Sequence, residues 1–570
     1  MMSEKKKTYV IGVDFGSDSV RAIVTDTEDG HVLGSGVSFY PRWKKGLYQH
    51  PEQSIFRQHP LDYLESLESC VKEAVSMVSE EVRVQIVGIG VDTTGSTPAP
   101  VNQKGVPLAL IEEFAECEDA MFHLWKDHSA VEEAEQINEI FVHGSEIDYS
   151  RYQGKYCAEW FWAKILHTIR KNPRIKEAAY TWIEHCDWMV GLLSGNTIPE
   201  EMYHSACAAG HKALWHSAWK GLPSVEVLEE LDPYLLLVRE RYQRSPQASV
   251  VKAGTLSKEW AKRLGLIEGI AVSGSSFDAH AGAVGAGIRE KTMVCTMGTS
   301  AVDMIVVKAD YLHGKDIRSY GGQAENSILP DFVGIETGQA AFGDIFAWFK
   351  KILMWPVKEV TALLEKTQAR ELVEKLEESL LPALQREAEK LPEDVFPIAL
   401  DWFNGRRYPD TDDFQKAMIA NLTLGIEAPY LYRALVFGAV CGLKRIMSGF
   451  EDAGIEIERV VAVGGISKKS DYIMQMMADV LQKKISILDA DQTCALGAAI
   501  YAAIAGGVYQ DVEKASEQMA ARSIKEFIPR EEKSDRYLQH YREYLRLADL
   551  ADDWKASEDD AIMRPVRNKS

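Results

Sequence analysis

The sequence predicts an α/β protein made of two duplicated halves with a ligand cleft between them. Three observations carry that expectation. Strand-like runs end in small-residue turns at matching places in the two halves, at residues 14–19 and 297–300. A helix-period segment and then an apolar strand follow each turn, over residues 61–91 and 430–463. The chain of 570 residues is also too long for a single hydrophobic core, which makes two domains the prior.

Taken in order, the chain from Tyr9 reads as three strands over residues 9–13, 20–24 and 31–35. Their joins, Asp14-Phe15-Gly16-Ser17-Asp18-Ser19 and Asp26-Thr27-Glu28-Asp29-Gly30, are rich in turn residues. Leu61, Leu64, Leu67, Val71, Ala74, Val75 and Val78 recur at helical spacing, with Pro60 suited to the helix start. Residues 85–91 form an apolar strand of the buried parallel kind, ending in Asp92-Thr93-Thr94-Gly95-Ser96-Thr97-Pro98. Residues 110–235 hold Trp125, Trp160, Trp162, Trp182, Trp188, Trp215 and Trp219. These are expected in the core, because aromatic side chains dominate buried area.

The second half opens on Val272-Ser273-Gly274-Ser275-Ser276-Phe277-Asp278, an apolar strand that delivers one carboxylate into a small-residue turn. A lone Asp there suits a cap for a helix beginning at Ala279. Residues 283–287 read as a loop without bulk, and residues 292–307 repeat the pattern strand, Gly298-Thr299-Ser300 turn, strand. Residues 357–395 are charged and read as a solvated helical insertion. Pro429 opens an apolar helix over 430–450, and a strand over 459–463 runs into Gly464-Gly465-Ile466-Ser467-Lys468-Lys469-Ser470. Ser470 is placed to cap a helix bearing Ile473, Met474, Met477, Val480 and Leu481. A strand over 485–488 and a Gly/Ala-rich helix over 495–505, closed by Gly506 and Gly507, complete the half. The expected boundaries are 1–272 for the N-terminal domain, 273–519 for the C-terminal domain and 520–570 for a charged helical tail with a frayed end.

Composition excludes several functions. The formal net charge of -21 argues against nucleic acid or an anionic membrane as partner, since either needs a basic face. Small anionic ligands remain open, because a phosphate site needs only local amides and one or two cations. Eight cysteines are scattered with no Cys-x-x-Cys spacing, so neither a zinc site nor a disulfide framework is signalled, and a reducing cytoplasm fits. The lysine-rich start leads into a strand, not into the apolar core of a signal peptide, and no apolar run reaches the roughly 18 residues of a membrane span. Asn421-Leu422-Thr423 is a glycosylation sequon by pattern only. The oligomeric state stays open, a homodimer included.

The turns carry the chemistry. Residues 14–19 combine successive amides, hydroxyls and a glycine without bulk, which is what phosphate oxygens need, and Asp14 beside them suits Mg²⁺, directly or through water. Alone the turn is a hairpin; paired with residues 297–300 in the equivalent place, it suits one phosphate chain gripped from both sides. Asp14-Phe15-Gly16 spells the metal-binding triplet of protein kinases, but nothing before it has room for their nucleotide loop. Gly88-x-Gly90 and Gly282-x-x-Gly285-x-Gly287 echo dinucleotide fingerprints without the required glycine order, and no Walker motif is present.

With these residues in place, the chain resembles the FGGY carbohydrate kinases, which have two ribonuclease H-like domains of the actin/Hsp70-like ATPase superfamily. The likeness spans nearly the whole chain: the first phosphate turn at 14–19, Ser276-Phe277-Asp278-Ala279-His280-Ala281-Gly282, the second turn at 298–300, and Val463-Gly464-Gly465-Ile466-Ser467-Lys468. Within the family it is similar to the members that phosphorylate L-ribulose, at residues 90–100, 156–160, 186–188, 208–215 and 334–339. The resemblance implies transfer of a phosphoryl group from ATP, with Mg²⁺, to the terminal C5 hydroxyl of this small ketopentose, as in L-arabinose catabolism. It further implies Asp278 as base and Gly16, Ser17, Ser19, Gly298, Thr299 and Ser300 around the phosphates. Gly464, Gly465, Lys468 and Lys469 fall at the adenosine, Lys469 standing where relatives often carry Asn. Asp92, Thr93, Ser96, Lys212, Glu336 and Gln339 fall at the sugar hydroxyls, which need nearly complete hydrogen bonding once water is excluded. Xylulose, glycerol or another polyol is the alternative acceptor. A non-catalytic sugar or nucleotide sensor would lack the acid, and Asp278 is present; a chaperone-like ATPase would need a β-rich extension that nothing after Ala520 resembles.

Overall fold

The computed structural model describes residues 7–143, 145–361, 366–392, 394–412, 414–489 and 491–563. The lysine-rich start at 1–6 and the expected frayed end at 564–570 lie outside them. Contacts group the chain into two units, Met1–Glu290 with Met304–Ile335 and Asp489–Arg522, and Lys291–Asp303 with Glu336–Leu488 and Ser523–Ser570. The expected boundary at 272/273 falls inside the strand Ala271–Phe277, all of which belongs to the first unit.

The first unit is built on a six-stranded sheet. Tyr9–Phe15, Ser19–Asp26 and Val32–Phe39 form an antiparallel meander. Ile86–Thr93 joins parallel to the first strand, Ala271–Phe277 parallel to that, and Lys252–Thr255 closes the edge antiparallel. Tyr9–Phe15 and Ala271–Phe277 are buried along their whole lengths, as strands covered on both faces must be. The helix Pro60–Ser76 opens at its proline, and its N-terminal Leu61 amide is capped by His59 Nδ1 at 3.1 Å. Gly34 and Gly36 give it room, since a Cβ on them would lie 2.3 Å from Ala74 O and 2.1 Å from Cys70 O.

The helix Thr493–Ala505 also belongs to the first unit, although the second unit's long segment Glu336–Leu488 comes before it in the chain and the sequence suggests it as part of the second half. Glycine makes this placement possible. A Cβ on Gly12, Gly90 or Gly88 would sit 1.8, 2.2 or 2.6 Å from the carbonyl oxygens of Ala495, Ala498 and Ala502, one face of that helix. The echo of a dinucleotide fingerprint at Gly88 and Gly90 is therefore a packing groove. Residues 283–287 likewise correct the expectation of a loop: the helix Asp278–Gly285 runs through most of them. Its small residues meet the Thr493–Ala505 helix backbone to backbone, with a Cβ on Gly285 falling 2.0 Å from Thr493 O and one on Gly497 falling 1.9 Å from Ala281 O.

In the second unit Thr292–Met297, Arg459–Val463 and Lys484–Leu488 pair in parallel, and Ser523–Phe527 adds antiparallel. The helix Ala428–Asp452, with Pro429 in its first turn, is buried over most of its length. Ser470 Oγ accepts from Ile473 N at 3.2 Å and so starts the helix Asp471–Leu481. The charged stretch holds the helix Lys366–Ala388 and the end of Gly343–Thr361, and the tail forms Glu531–Met563. Among the described residues no helix is long and apolar enough to cross a membrane.

Candidate active site

Three carboxylates stand at the carboxyl ends of three adjacent parallel strands in the first unit, the place where open α/β sheets bind ligands. Asp14 and Asp92 are direct neighbours in register, Ser276 pairs with Asp92, and Asp278 follows two residues after Ser276. Asp92 is fully buried, and neither of its carboxylate oxygens has a hydrogen-bond partner. Burial pushes its carboxyl well above the usual range, and the charges of Asp14 and Asp278 push it further. Burial also raises Asp14, against the pull of the Arg21 guanidinium, whose Nη1 lies 3.1 Å from Asp14 Oδ2. A buried carboxylate left without a partner is costly, so the donor set fits a divalent cation, which takes oxygen ligands of this kind.

Asp278 does not cap the helix it begins. The helix starts at Asp278 itself after Phe277, and its Oδ1 accepts from the adjacent Ala279 amide at 2.6 Å, not from the second or third amide of the turn. Its side chain is half-buried at the strand end.

Each glycine turn is closed by its glycine amide, over three residues in the first and two in the second. Gly16 N donates to Ser19 O at 3.0 Å in the first unit, and Gly298 N donates to Ser300 O at 2.9 Å in the second. The first turn is tied back through its carbonyls, with Tyr40 OH donating to Gly16 O at 3.1 Å and Gln58 Nε2 to Ser17 O at 2.7 Å. Ser17 Oγ accepts from the indole of Trp125 at 2.9 Å, and Ser19 Oγ donates to Asp18 at 2.8 Å. Trp125 is thus a surface residue of the turn, unlike Trp162 and Trp188, which are fully buried as expected. The second turn is held by the start of the helix Gly343–Thr361, where Phe342 N and Asp344 N donate to Thr299 O at 2.8 and 3.1 Å. On the neighbouring parallel strand, in register Thr296 to Val463, the chain leaves through Gly464 at φ 103°, where a Cβ would lie 2.4 Å from Met297 O. Gly465, Lys468 and Lys469 are exposed beside it.

The remaining candidates are placed as follows. Thr93 is buried and its hydroxyl donates to Thr94 O at 2.8 Å. Ser96 donates its hydroxyl to Glu184. Lys212 is buried, with its ammonium 5.1 Å from the Trp160 ring and 6.0 Å from the Phe277 ring. Glu336 and Gln339 lie on the strand Phe332–Gln339 in the second unit, where Gln339 Nε2 donates to Asp401 Oδ2 at 2.7 Å and to Ala439 O at 2.8 Å. Arg21 was not among the sequence candidates. A signal for it exists, because closure of the hairpin at Gly16 and Ser19 forces Arg21 opposite Asp14.

Comparison with known proteins accords with this arrangement. Residues 9–285 match the model of the FGGY family of carbohydrate kinases, N-terminal domain, and residues 293–506 match its C-terminal domain. The chain belongs to the FGGY family of carbohydrate kinases. It is 43% identical over 542 residues to a protein named ribulokinase from Vibrio parahaemolyticus, covering 95% of each chain. A ribulokinase from Shouchella clausii is 34% identical over 556 residues, again 95% of each. Among solved structures, a xylulose kinase from Rhodospirillum rubrum superposes with TM-score 0.75 at 18% identity, covering 96% of this chain and 99% of that one. Plasmodium falciparum glycerol kinase with ADP gives TM-score 0.73 at 17% identity, covering 95% and 98%.

Proposed function

We propose that the protein phosphorylates the C5 hydroxyl of L-ribulose with ATP, giving L-ribulose 5-phosphate and ADP. The observation that carries this is the 43% identity to a ribulokinase across 95% of both chains. In this reading Asp278 takes the proton of the C5 hydroxyl as the oxygen bonds to the γ-phosphorus and the bond to the departing ADP oxygen breaks. Asp14 and Asp92 would hold Mg²⁺, directly or through water. Mg²⁺, when bound, neutralises charge on the phosphate oxygens.

Gly16, Ser17 and Ser19 in one unit and Gly298, Thr299 and Ser300 in the other offer backbone N–H and hydroxyl groups to phosphate. Gly464, Gly465, Lys468 and Lys469 take the adenosine side. Thr93, Ser96, Lys212, Glu336 and Gln339 serve the sugar, with Asp92 shared between sugar and cation. The identity of the acceptor is tested by ADP release over a panel of polyols. L-ribulose is expected to turn over fast and glycerol and hexuloses slowly; a panel won by glycerol or a hexulose overturns the assignment.

A further inference from the structure

We propose that Lys164 and Glu184 are positioning residues that together lock residues 95–97 as a wall of the acceptor-sugar site. The proposal rests on the reading of residues 92–97 as sugar-facing and goes beyond it, because neither residue is among those assigned to substrate.

Ser96 is held from two sides. Lys164, on the helix Phe161–Lys171, is 1% exposed, and its ammonium donates to Ser96 O at 2.8 Å, Leu124 O at 2.9 Å and His123 O at 3.2 Å. All three N–H donors are thereby used. Glu184 ends the strand Thr181–Glu184 and is 5% exposed; one of its oxygens accepts the Ser96 hydroxyl and the other the Thr97 amide at 2.8 Å. The strand pairing Pro98 to Glu184, with His185 N donating to Thr97 O at 3.0 Å, sets that carboxylate against the turn. The cation and the anion therefore grip one residue, the first by its carbonyl and the second by its hydroxyl.

Stability alone is a poor account of such a pair, since well-packed apolar residues commonly replace buried ions at no loss. A pinned loop is a better one. Gly95 packs against the Phe277 ring, where a Cβ would come 1.8 Å from Cε1. Phe277 immediately precedes Asp278, and its ring lies 6.0 Å from the Lys212 ammonium. Any movement of residues 95–97 thus meets the ring of the residue that precedes Asp278. A displacement of about 1 Å at reacting groups costs on the order of 10²-fold in rate.

The test compares Glu184→Leu, Lys164→Met and the double variant in the full chain, reading melting temperature, kcat, KM for ATP, and KM and calorimetric Kd for L-ribulose. Glu184→Leu keeps roughly the volume but removes both acceptors, leaving the Ser96 hydroxyl and the Thr97 amide unheld. It is expected to raise the L-ribulose KM and Kd about tenfold or more, with the ATP KM within about twofold. The double variant removes both buried charges, so it is expected to recover most of the melting temperature while the sugar constants stay raised. Recovery of sugar affinity together with stability in the double variant overturns the proposal, as does a Glu184→Leu protein that melts lower but binds L-ribulose normally. If Lys164→Met alone fails to fold, the other two variants decide. Failure of the underlying functional reading looks different: the wild type then neither binds nor phosphorylates L-ribulose, and the same constants are read on the acceptor that the panel selects, with the same two overturning outcomes.

Discussion

In the proposed mechanism the base is Asp278, the carboxylate that begins its helix. Asp278→Asn keeps the shape and the bond to the Ala279 amide but removes the base, so turnover is expected to fall by about 10² to 10⁴. Melting temperature and sugar affinity should change little. Near-normal turnover, with deamidation excluded by mass spectrometry, would remove the proposed role. Asp303 offers a second prediction, about pH. It is fully buried with the Cys295 thiol beside it, and burial raises its carboxyl to about 7. A folded-state value above the unfolded value of about 3.9 means that folding takes up a proton between them, so stability is lost as pH rises through that window, by up to about 1.4 kcal/mol per pH unit. Asp303→Asn cannot titrate. Its stability relative to wild type should therefore improve between pH 5 and pH 8 in denaturant titrations, and parallel pH slopes would refute the account. Individual acids such as Asp14, Asp92 and Asp278 were legible in the sequence because strand ends and turn residues mark them. The partners of Ser96 and Gln339 were not, since Glu184 and Asp401 lie 88 and 62 residues away and no local pattern connects them.

At the scale of elements, glycine does two separate jobs that the sequence alone does not distinguish. Gly12 and Gly90 sit in strand interiors because the Thr493–Ala505 helix rests its carbonyls on them, whereas Gly298 sits in a turn where a Cβ would meet only Ser300 O at an ordinary 3.8 Å. Gly12→Ala is accordingly expected to destabilise by about 1–3 kcal/mol or more, as overpacking does. Gly298→Val should fold and melt normally but bind ATP more weakly, because its side chain obstructs the approach of phosphate to the backbone. Calorimetry and thermal melts on the two variants separate the cases; unchanged ATP affinity in folded Gly298→Val would show that the turn is a plain hairpin. Elements governed by neighbouring residues were readable in advance, as the Ser470 cap and the Pro429 helix start demonstrate. The helix Asp278–Gly285 was misread as a partly open loop because its small residues answer to a helix more than two hundred positions later, and strand or helix propensity contains no trace of that contact.

For the whole molecule, the order of the chain and the order of its units differ. The first unit is completed by Asp489–Arg522, after the chain has passed through most of the second. Its helix Thr493–Ala505 buries Leu496, Ile500 and Tyr501 with a row of alanines, and the Tyr501 hydroxyl lies 3.3 Å from Ser276 Oγ on the strand leading to Asp278. Burial of three such large side chains is worth roughly 5–9 kcal/mol, within the 5–15 kcal/mol that holds a typical domain together. A chain ended after Leu488 should therefore lose the first unit as well as the edge of the second. It would expose the glycine-lined face of the sheet, where Gly12, Gly88 and Gly90 leave backbone uncovered. The measurable expectation is that residues 1–335, which hold every first-unit segment but the last, give an aggregated or molten product when expressed alone. The same segment co-expressed with residues 489–522 on a separate polypeptide should gain soluble, cooperatively melting protein. A fragment 1–335 with a sharp thermal transition and native-like near-ultraviolet dichroism would show that the late helix is an accessory. Loss of the transition, restored by the added segment, would show that the three carboxylates at the strand ends depend on a helix encoded some two hundred residues downstream of Asp278.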